Sequence, residues 1–267
     1  MKAFFITEFS RLRKLLLSGV CVAVFLGLYY SRWAEMKSCK LLECFLVLTY
    51  GNLEIRDVKY VIPVLFWLAP QTFMFYFLGD YVSNDLERNA IYIFTRTDRR
   101  RSWLIAKILS LFFYVALYYF LQFLVVGTMG WILGYNVLEG LSGIAIILKE
   151  FVLLVLLNYM IILMINLLSL SIPVSISTVS VFVAHLFCLF LSGVVYEFYK
   201  GYSEIIKWLP FTQGIASWHS DISSRVGGSI LFSIQDFNVA FSVIYMVVLC
   251  IAFVYIALRK VENLDIL

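Results

Sequence analysis

The chain has 267 residues, of which 63% are hydrophobic and only 14% are charged, and its formal net charge is +4. This composition is typical of a polytopic membrane protein, and the low content of proline and glycine excludes a disordered or fibrous chain. A protein that binds nucleic acid would carry a much more basic surface. We therefore expect a multi-pass membrane protein with no nucleic-acid partner.

The first residues predict an amphipathic helix that lies on the membrane surface over residues 2–14. Its apolar positions recur every three or four residues, as on one face of a helix, and the pattern continues to Leu16 just beyond it: Phe5, Phe9 and Leu12. Its basic residues are expected to anchor the chain near lipid phosphates: Arg11, Arg13 and Lys14. The alternative is a basic tail that only sets the membrane topology. The apolar run that follows has no small-residue cleavage site, so we expect a retained first helix.

Six apolar runs are long enough to cross a bilayer, whose core of about 30 Å takes roughly 20 residues of helix. The predicted spans are 15–32, 60–82, 103–134, 148–171, 173–195 and 237–258. Pro70 should kink the second span, and Pro173 separates the fourth and fifth spans at a tight turn. The sequence therefore predicts an all-α membrane protein with six transmembrane helices, which form one transmembrane domain over residues 1–267.

The distribution of basic residues predicts that both termini are inside. The segments assigned to the inside carry 12 Lys and Arg residues against six acids, whereas the outside segments carry nine against ten. Lys and Arg accumulate in the cytoplasmic loops of membrane proteins. An even number of spans agrees with this N-in, C-in orientation.

The first outer loop, residues 33–59, contains an apolar stretch, Leu41–Tyr50, that is too short to span and is expected on the membrane surface. Cys39 and Cys44 lie in this loop and can form a disulfide if it is outside the cell. The other three cysteines lie in apolar runs, where we expect them to pack as small residues.

The last outer loop, residues 196–236, is the longest connection in the chain. It contains an amphipathic stretch, 204–218, with a tryptophan near each end and a proline and a glycine between them. This stretch is either a re-entrant helical hairpin or a loop packed on the helix ends.

The chain carries no HExxH, GxSxG or GxxxxGK[ST] motif and no CxxC pair, and its two histidines are far apart. These motifs supply a zinc site, a serine nucleophile, a phosphate-binding loop and a thiol pair, respectively. We therefore expect no catalytic residue, no bound metal and no cofactor on this chain. If transport here uses ATP, the ATPase is another chain.

Among the polar residues inside the predicted spans, where such side chains are costly, five are candidates for function: Asp80, Gln122, Asn158, Asn166 and His185. Gln122, Asn158 and Asn166 line a pathway or a subunit interface in one interpretation. In the other, they form interhelical hydrogen bonds worth roughly 0.6 kcal/mol each. His185 is expected to be packed and neutral. A proton relay needs several carboxylates inside the membrane, and this chain offers at most one or two. A proton-driven carrier is therefore disfavoured.

The densest basic cluster in the chain follows the second span. Asn84 can cap a short helix there, and Glu87, three residues later, can complete a capping box. We predict this short helix over about residues 84–95. Four basic residues lie just before the third span or in its first turns, and on their own they indicate anchoring at the inner membrane surface: Arg99, Arg100, Arg101 and Lys107.

Glu87-Arg88, then Arg99 or Arg100, then Trp103 and Lys107 form a pattern that resembles the permease subunits of type-2 ABC exporters. These subunits also have an interfacial N-terminal helix, six spans, a coupling helix between spans two and three, and a long outer connection before span six. The resemblance extends over the whole chain. The family's usual Gly-Thr after Glu-Arg-x-x is replaced here by Ile91-Tyr92.

The resemblance implies an exporter in the plasma membrane, of bacterial kind, with two permease subunits, identical or different, and two separate ATPase subunits that bind ATP and Mg²⁺. The ATPase would dock near residues 84–95, and the implied coupling residues are Asn84, Glu87, Arg88, Ile91 and Arg96. Compact, aromatic-rich permeases of this kind also resemble those that export bacteriocins and lantibiotics or confer immunity to these antimicrobial peptides. The alternatives are an ATP-independent carrier or channel and a non-transporting immunity or sensor subunit.

Overall fold

The computed structural model describes residues 2–37, 39–87, 100–137, 141–199, 203–227 and 233–262. Within these ranges the chain forms helices joined by turns and loops, and no β-strand. The helices are α1 Lys2–Met36, α2 Leu42–Leu46, α3 Val61–Leu78, α4 Arg100–Ile132, α5 Leu141–Leu168, α6 Val174–Phe198, α7 Ser203–Ile206, α8 Ser220–Gly227 and α9 Val239–Glu262. Six of them are long and apolar enough to cross a membrane: α1, α3, α4, α5, α6 and α9. This confirms the predicted all-α fold with six potential spans, which is typical of a multi-pass membrane protein.

The first helix differs from the prediction. The structure has one continuous helix over Lys2–Met36, so the interfacial helix predicted for residues 2–14 is the beginning of α1 and not a separate element. The basic residues around Arg11 do not end the helix because Arg and Lys are themselves good helix formers.

The other helix ends also shift from the predicted positions. Helix α5 begins at Leu141, seven residues before the predicted start of the fourth span. Helix α3 ends at Leu78, and after a turn at residues 79–80 a separate helical segment follows over residues 81–87. Pro70 lies inside α3 without ending it. The predicted tight turn before Pro173 is confirmed.

Helix α5 forms the centre of the bundle. Its most apolar window is 67% buried, whereas the corresponding windows of α6 and α9 are only 22% buried. It contacts α4, α6 and α9, and α1 packs against α3 and α4. The exposed sides of α6 and α9 therefore remain available to lipid or to another subunit.

Two segments from the predicted outer side enter this bundle. The first is α2 with the π-helical turn Val47–Gly51, and residues 43–51 are all buried. The prediction that Leu41–Tyr50 lies on the membrane surface is therefore wrong. A disulfide joins Cys39 and Cys44 at the start of this segment.

Gly51 allows the first segment to approach its neighbours closely. A Cβ atom at this position would lie 2.6 Å from the Cβ of Ala216 and 2.9 Å from Oε1 of Glu150. Any larger residue at Gly51 would therefore push the segment away from α5.

The second segment covers residues 203–219, and its residues from Phe211 to His219 are buried. Gly214 packs directly against the side chain of Leu157, near the middle of α5. The indole Nε1 of Trp218 donates a hydrogen bond of 2.6 Å to the carbonyl of Leu53, which joins the two segments. These contacts agree with the re-entrant alternative and not with a loop on the helix ends.

Candidate functional site

The helix break after α3 is held by a residue of α5. The break leaves backbone groups without partners inside their own helices. The amide nitrogen of Asn166 donates hydrogen bonds to the carbonyls of Leu78 at 2.8 Å and of Ile162 at 2.9 Å. Its amide oxygen accepts a hydrogen bond of 2.9 Å from the backbone N–H of Val82. Fully buried Asn166 therefore bonds to both sides of the break.

Asp80 lies in the turn of this break and connects it to α1. Its carboxylate forms an ion pair with the guanidinium of Arg11, at 3.2 Å between Oδ1 and Nη1. It also accepts a hydrogen bond of 2.9 Å from the amide of Asn84. Asn84 lies inside the 81–87 helical segment, so the prediction that it caps the start of this helix is wrong. The helix begins earlier because Asn166 satisfies the backbone N–H of Val82.

Asp85 connects the same segment to α4. It is only 7% exposed, and Oδ2 accepts hydrogen bonds from Nε1 of Trp103 at 2.9 Å and from Nζ of Lys107 at 3.1 Å. The ammonium group of Lys107 also lies 4.5 Å from the centre of the Tyr81 ring. Two buried opposite charges in contact are stable only as a pair.

Lys107 therefore does not lie at the lipid surface, where it was expected as an anchor, because Asp85 and Tyr81 bind it inside the bundle. Among the other predicted anchors, Arg13, Lys14 and Arg101 are exposed and Arg100 is half-buried. Arg99 lies outside the described residues.

We define the coupling junction by the residues that join the 81–87 segment to its neighbours: Arg11, Asp80, Asn84, Asp85, Trp103, Lys107 and Asn166. It connects α1, α3, α4 and α5 at the predicted inner end of the bundle. Glu87 is exposed at the end of the segment. The other predicted coupling residues, Arg88, Ile91 and Arg96, and residues 88–95 of the predicted short helix lie outside the described residues.

The predicted pathway residues do not share one environment. The amide of Asn166 is occupied at the coupling junction, as in the interhelical interpretation. Asn158 donates a hydrogen bond of 2.8 Å to Leu154 in its own helix, and its amide oxygen has no partner in the described part of the chain. The side-chain amide of Gln122 is buried and also has no partner there.

Glu150 is one of the buried polar residues that the sequence did not single out. It is fully buried in α5, and both carboxylate oxygens lack a partner among the described residues. The neighbouring Lys149 does not compensate it, because Lys149 binds Asp221 of α8 at 2.6 Å. The missed signal is an acid inside an apolar run, because Glu150 falls within the predicted fourth span, 148–171, but was counted with the outer flank.

Comparison with known proteins gives one match. No curated protein and no solved structure is significantly similar to this chain. The model of one family, described as a protein of unknown function, DUF2705, matches residues 20–267. The chain therefore belongs to the DUF2705 family.

Proposed function

We propose that the chain is the membrane-spanning permease subunit of an ATP-driven exporter, and that the coupling junction receives the movement of a separate ATPase subunit. The observation that carries this proposal is the contact of Asn166 with both sides of the break after α3. A helical segment that is bonded to three long helices and separated from α3 by a turn can move as a unit and pull on all of them. The predicted ATPase docking site, residues 84–95, begins within this segment.

The mechanism follows from the contacts of the 81–87 segment. A push on Glu87 and the following residues would turn the segment about Gly79 and Asp80. The buried Asp85–Lys107 pair would transmit the movement to α4, since separating the two charges is unfavourable. Asn166 would transmit it to α5, the central helix. The long helices would then change their packing around Gln122, Glu150 and Asn158.

Two kinds of partner subunit would complete the proposed exporter. ATP and Mg²⁺ would bind to the ATPase, and this chain would contribute no catalytic residue. A second permease subunit would complete the pathway, and the exposed apolar sides of α6 and α9 offer surfaces for it. With the termini inside, the coupling junction would face the cytoplasm at the plasma membrane of a bacterium.

Charge reversal tests the proposal. The chain is co-purified with candidate ATPase subunits, and ATP hydrolysis is measured with Glu87→Lys, with Arg88→Glu and with Glu35→Lys as a matched control. Glu35 is exposed at the opposite end of α1. We expect the variants at positions 87 and 88 to lose ATPase binding and stimulated hydrolysis, and the control to retain them. Unchanged binding and hydrolysis in both variants would refute the proposed coupling.

Glu150 supports a second candidate function, an ATP-independent carrier. Ionisable residues inside a membrane are costly and often mark ion pathways. In this case the purified chain alone would transport in liposomes without ATP, and Glu150→Gln would abolish that transport. Absence of transport by the chain alone, with transport after addition of an ATPase and ATP, would exclude the carrier.

A further inference from the structure

We infer that a cavity between α1 and α3 binds the phosphate headgroup of an anionic phospholipid. The cavity has a volume of about 370 Å³ and is lined by Ser10, Arg11, Lys14, Tyr76, Phe77 and Asp80. Its position beside the coupling junction places it at the predicted inner membrane surface. The inference goes beyond the proposed function, since it requires only that the chain lies in a membrane.

The α1 wall of the cavity carries the groups that bind phosphate. Ser10, Arg11 and Lys14 are at helical spacing and offer a hydroxyl, a guanidinium and an ammonium group. Charge-assisted hydrogen bonds from Arg and Lys are the strongest common contacts of phosphate oxygens. Lys14 is exposed and forms no ion pair with a described residue, so its ammonium group is available to a ligand.

Arg11 is shared between the cavity and the coupling junction. Its Nη1 and Nη2 lie 3.2 and 3.3 Å from the carboxylate of Asp80. A guanidinium has five N–H donors in a planar fork, so Arg11 can bind Asp80 and a phosphate at the same time. Asp80 itself lines the cavity and would repel an anion. The site therefore contains two cations that attract the headgroup and one carboxylate that weakens its binding.

The α3 wall indicates that the ligand is a lipid and not a free phosphate. Tyr76 is 79% exposed, and its ring and that of Phe77 form the apolar wall beside the basic residues. Phe9 and Phe73, on the same two helices, are also exposed. An anionic lipid presents a phosphate and an acyl chain together at this depth of a membrane, where basic side chains reach the headgroups.

Arg13 provides a matched control. It lies one residue from Lys14 and is also exposed, but it does not line the cavity. Non-specific attraction between a basic helix and an anionic membrane would depend equally on both residues. A built site depends on Lys14 and not on Arg13.

The experiment measures lipid binding by the purified full chain. The probes are phosphatidylglycerol, phosphatidylcholine and soluble glycerol phosphate, each titrated in detergent and followed by native mass spectrometry and thermal stability. We expect phosphatidylglycerol to bind more tightly than phosphatidylcholine, and glycerol phosphate not to compete. Lys14→Gln should weaken the binding of phosphatidylglycerol about tenfold, as expected for the loss of one charged contact, while Arg13→Gln leaves it unchanged.

Asp80→Asn gives a test of opposite sign. Removing the carboxylate from the cavity should tighten phosphatidylglycerol binding, although it removes an ion pair from the protein. Three results would overturn the inference: equal binding of both lipids, equal effects of Lys14→Gln and Arg13→Gln, or competition by glycerol phosphate, which would indicate a site for free phosphate. None of these measurements involves an ATPase, so this inference and the proposed function can fail independently.

Discussion

The side-chain amide of Asn166 donates a hydrogen bond of 2.8 Å to the backbone carbonyl of Leu78, the last residue of α3. The same side chain accepts a hydrogen bond from Val82 on the other side of the turn. The two ends of an interrupted helix are thus held by one residue of the central helix. This contact fixes the geometry of the interruption, because the backbone groups that it exposes are satisfied inside the bundle.

Asn166→Ala should destabilise the protein by about 1–2 kcal/mol, because it leaves the carbonyl of Leu78 and the N–H of Val82 without these partners. Thermal unfolding in detergent measures the change. Asn158→Ala is the matched control in the same helix, since it removes only a hydrogen bond to Leu154 and should cost less. Equal costs for the two variants would show that the contacts across the break have no special weight.

Lys107→Met should destabilise the protein by about 3–5 kcal/mol, because it leaves the carboxylate of Asp85 buried without its counter-charge. The double variant with Asp85→Asn should recover part of the loss, since no unpaired charge remains. Unfolding of the native chain, both single variants and the double variant in detergent gives the coupling energy.

The control for this pair is Lys59–Glu197, whose side chains are 53% and 57% exposed. Breaking an exposed ion pair costs about 0–1 kcal/mol, so Lys59→Met should have little effect. A loss for Lys107→Met as small as that for Lys59→Met would contradict the burial of the Asp85–Lys107 pair.

Cysteine chemistry tests the predicted orientation. The disulfide between Cys39 and Cys44 leaves three free cysteines: Cys21, Cys188 and Cys250. When cells are denatured in excess iodoacetamide without a reductant, mass spectrometry should find these three alkylated, and all five after reduction. This is expected if the loop faces the oxidising exterior. Alkylation of Cys39 and Cys44 without a reductant would instead place the loop in a reducing compartment.

Because His219 is buried, we expect the protein to lose stability at mildly acidic pH. Burial lowers its pKa from the usual 6.5 to about 4, and the nearby carbonyl of Ile215 and the carboxylate of Asp221 offset this only in part. Its Nε2 lies 2.8 Å from the hydroxyl of Ser242, and this contact connects the second segment, residues 203–219, to α9. Below pH 6.5 the unfolded chain binds a proton at this histidine that the folded chain excludes.

The contribution of His219 is therefore fully present above pH 6.5 and is lost as the pH falls towards 4, by at most about 3 kcal/mol. Unfolding curves of the native chain and of His219→Gln between about pH 7.5 and about pH 4 measure it, because this range extends from above the unfolded pKa down to the folded pKa. The variant should lose less stability over this range. Parallel curves for the two proteins would show that His219 does not carry the pH dependence.

The sequence predicts the six long helices well, because each is a local run of apolar residues and needs no knowledge of its neighbours. Burial of Leu41–Tyr50 was not predictable in this way, since a short apolar run has the same hydropathy on a membrane surface and inside a bundle. Its close approach to α5 depends on Gly51 facing Glu150 and Ala216, which are distant in sequence. Contacts between residues so distant in sequence depend on how the helices pack, which local hydropathy does not reveal.

The residues of the candidate site could likewise be predicted only in part from the sequence. The basic cluster and Glu87 are visible in the sequence, but charge counting treats Lys107 like any other lysine near a membrane. Its burial follows from Asp85 and Tyr81, which come from another helix. Glu150 was missed for a related reason, because a window average cannot separate an acid at the edge of a span from one inside it.

The central claim is that an ATPase subunit docks where the 81–87 segment ends. Site-specific photo-crosslinking tests it most directly, with a photoreactive amino acid in place of Glu87 and, as control, in place of Glu35 at the other end of α1. The account predicts a crosslink from position 87 to the ATPase subunit and none from position 35. A co-purified, active complex in which position 87 gives no crosslink to the ATPase would contradict it.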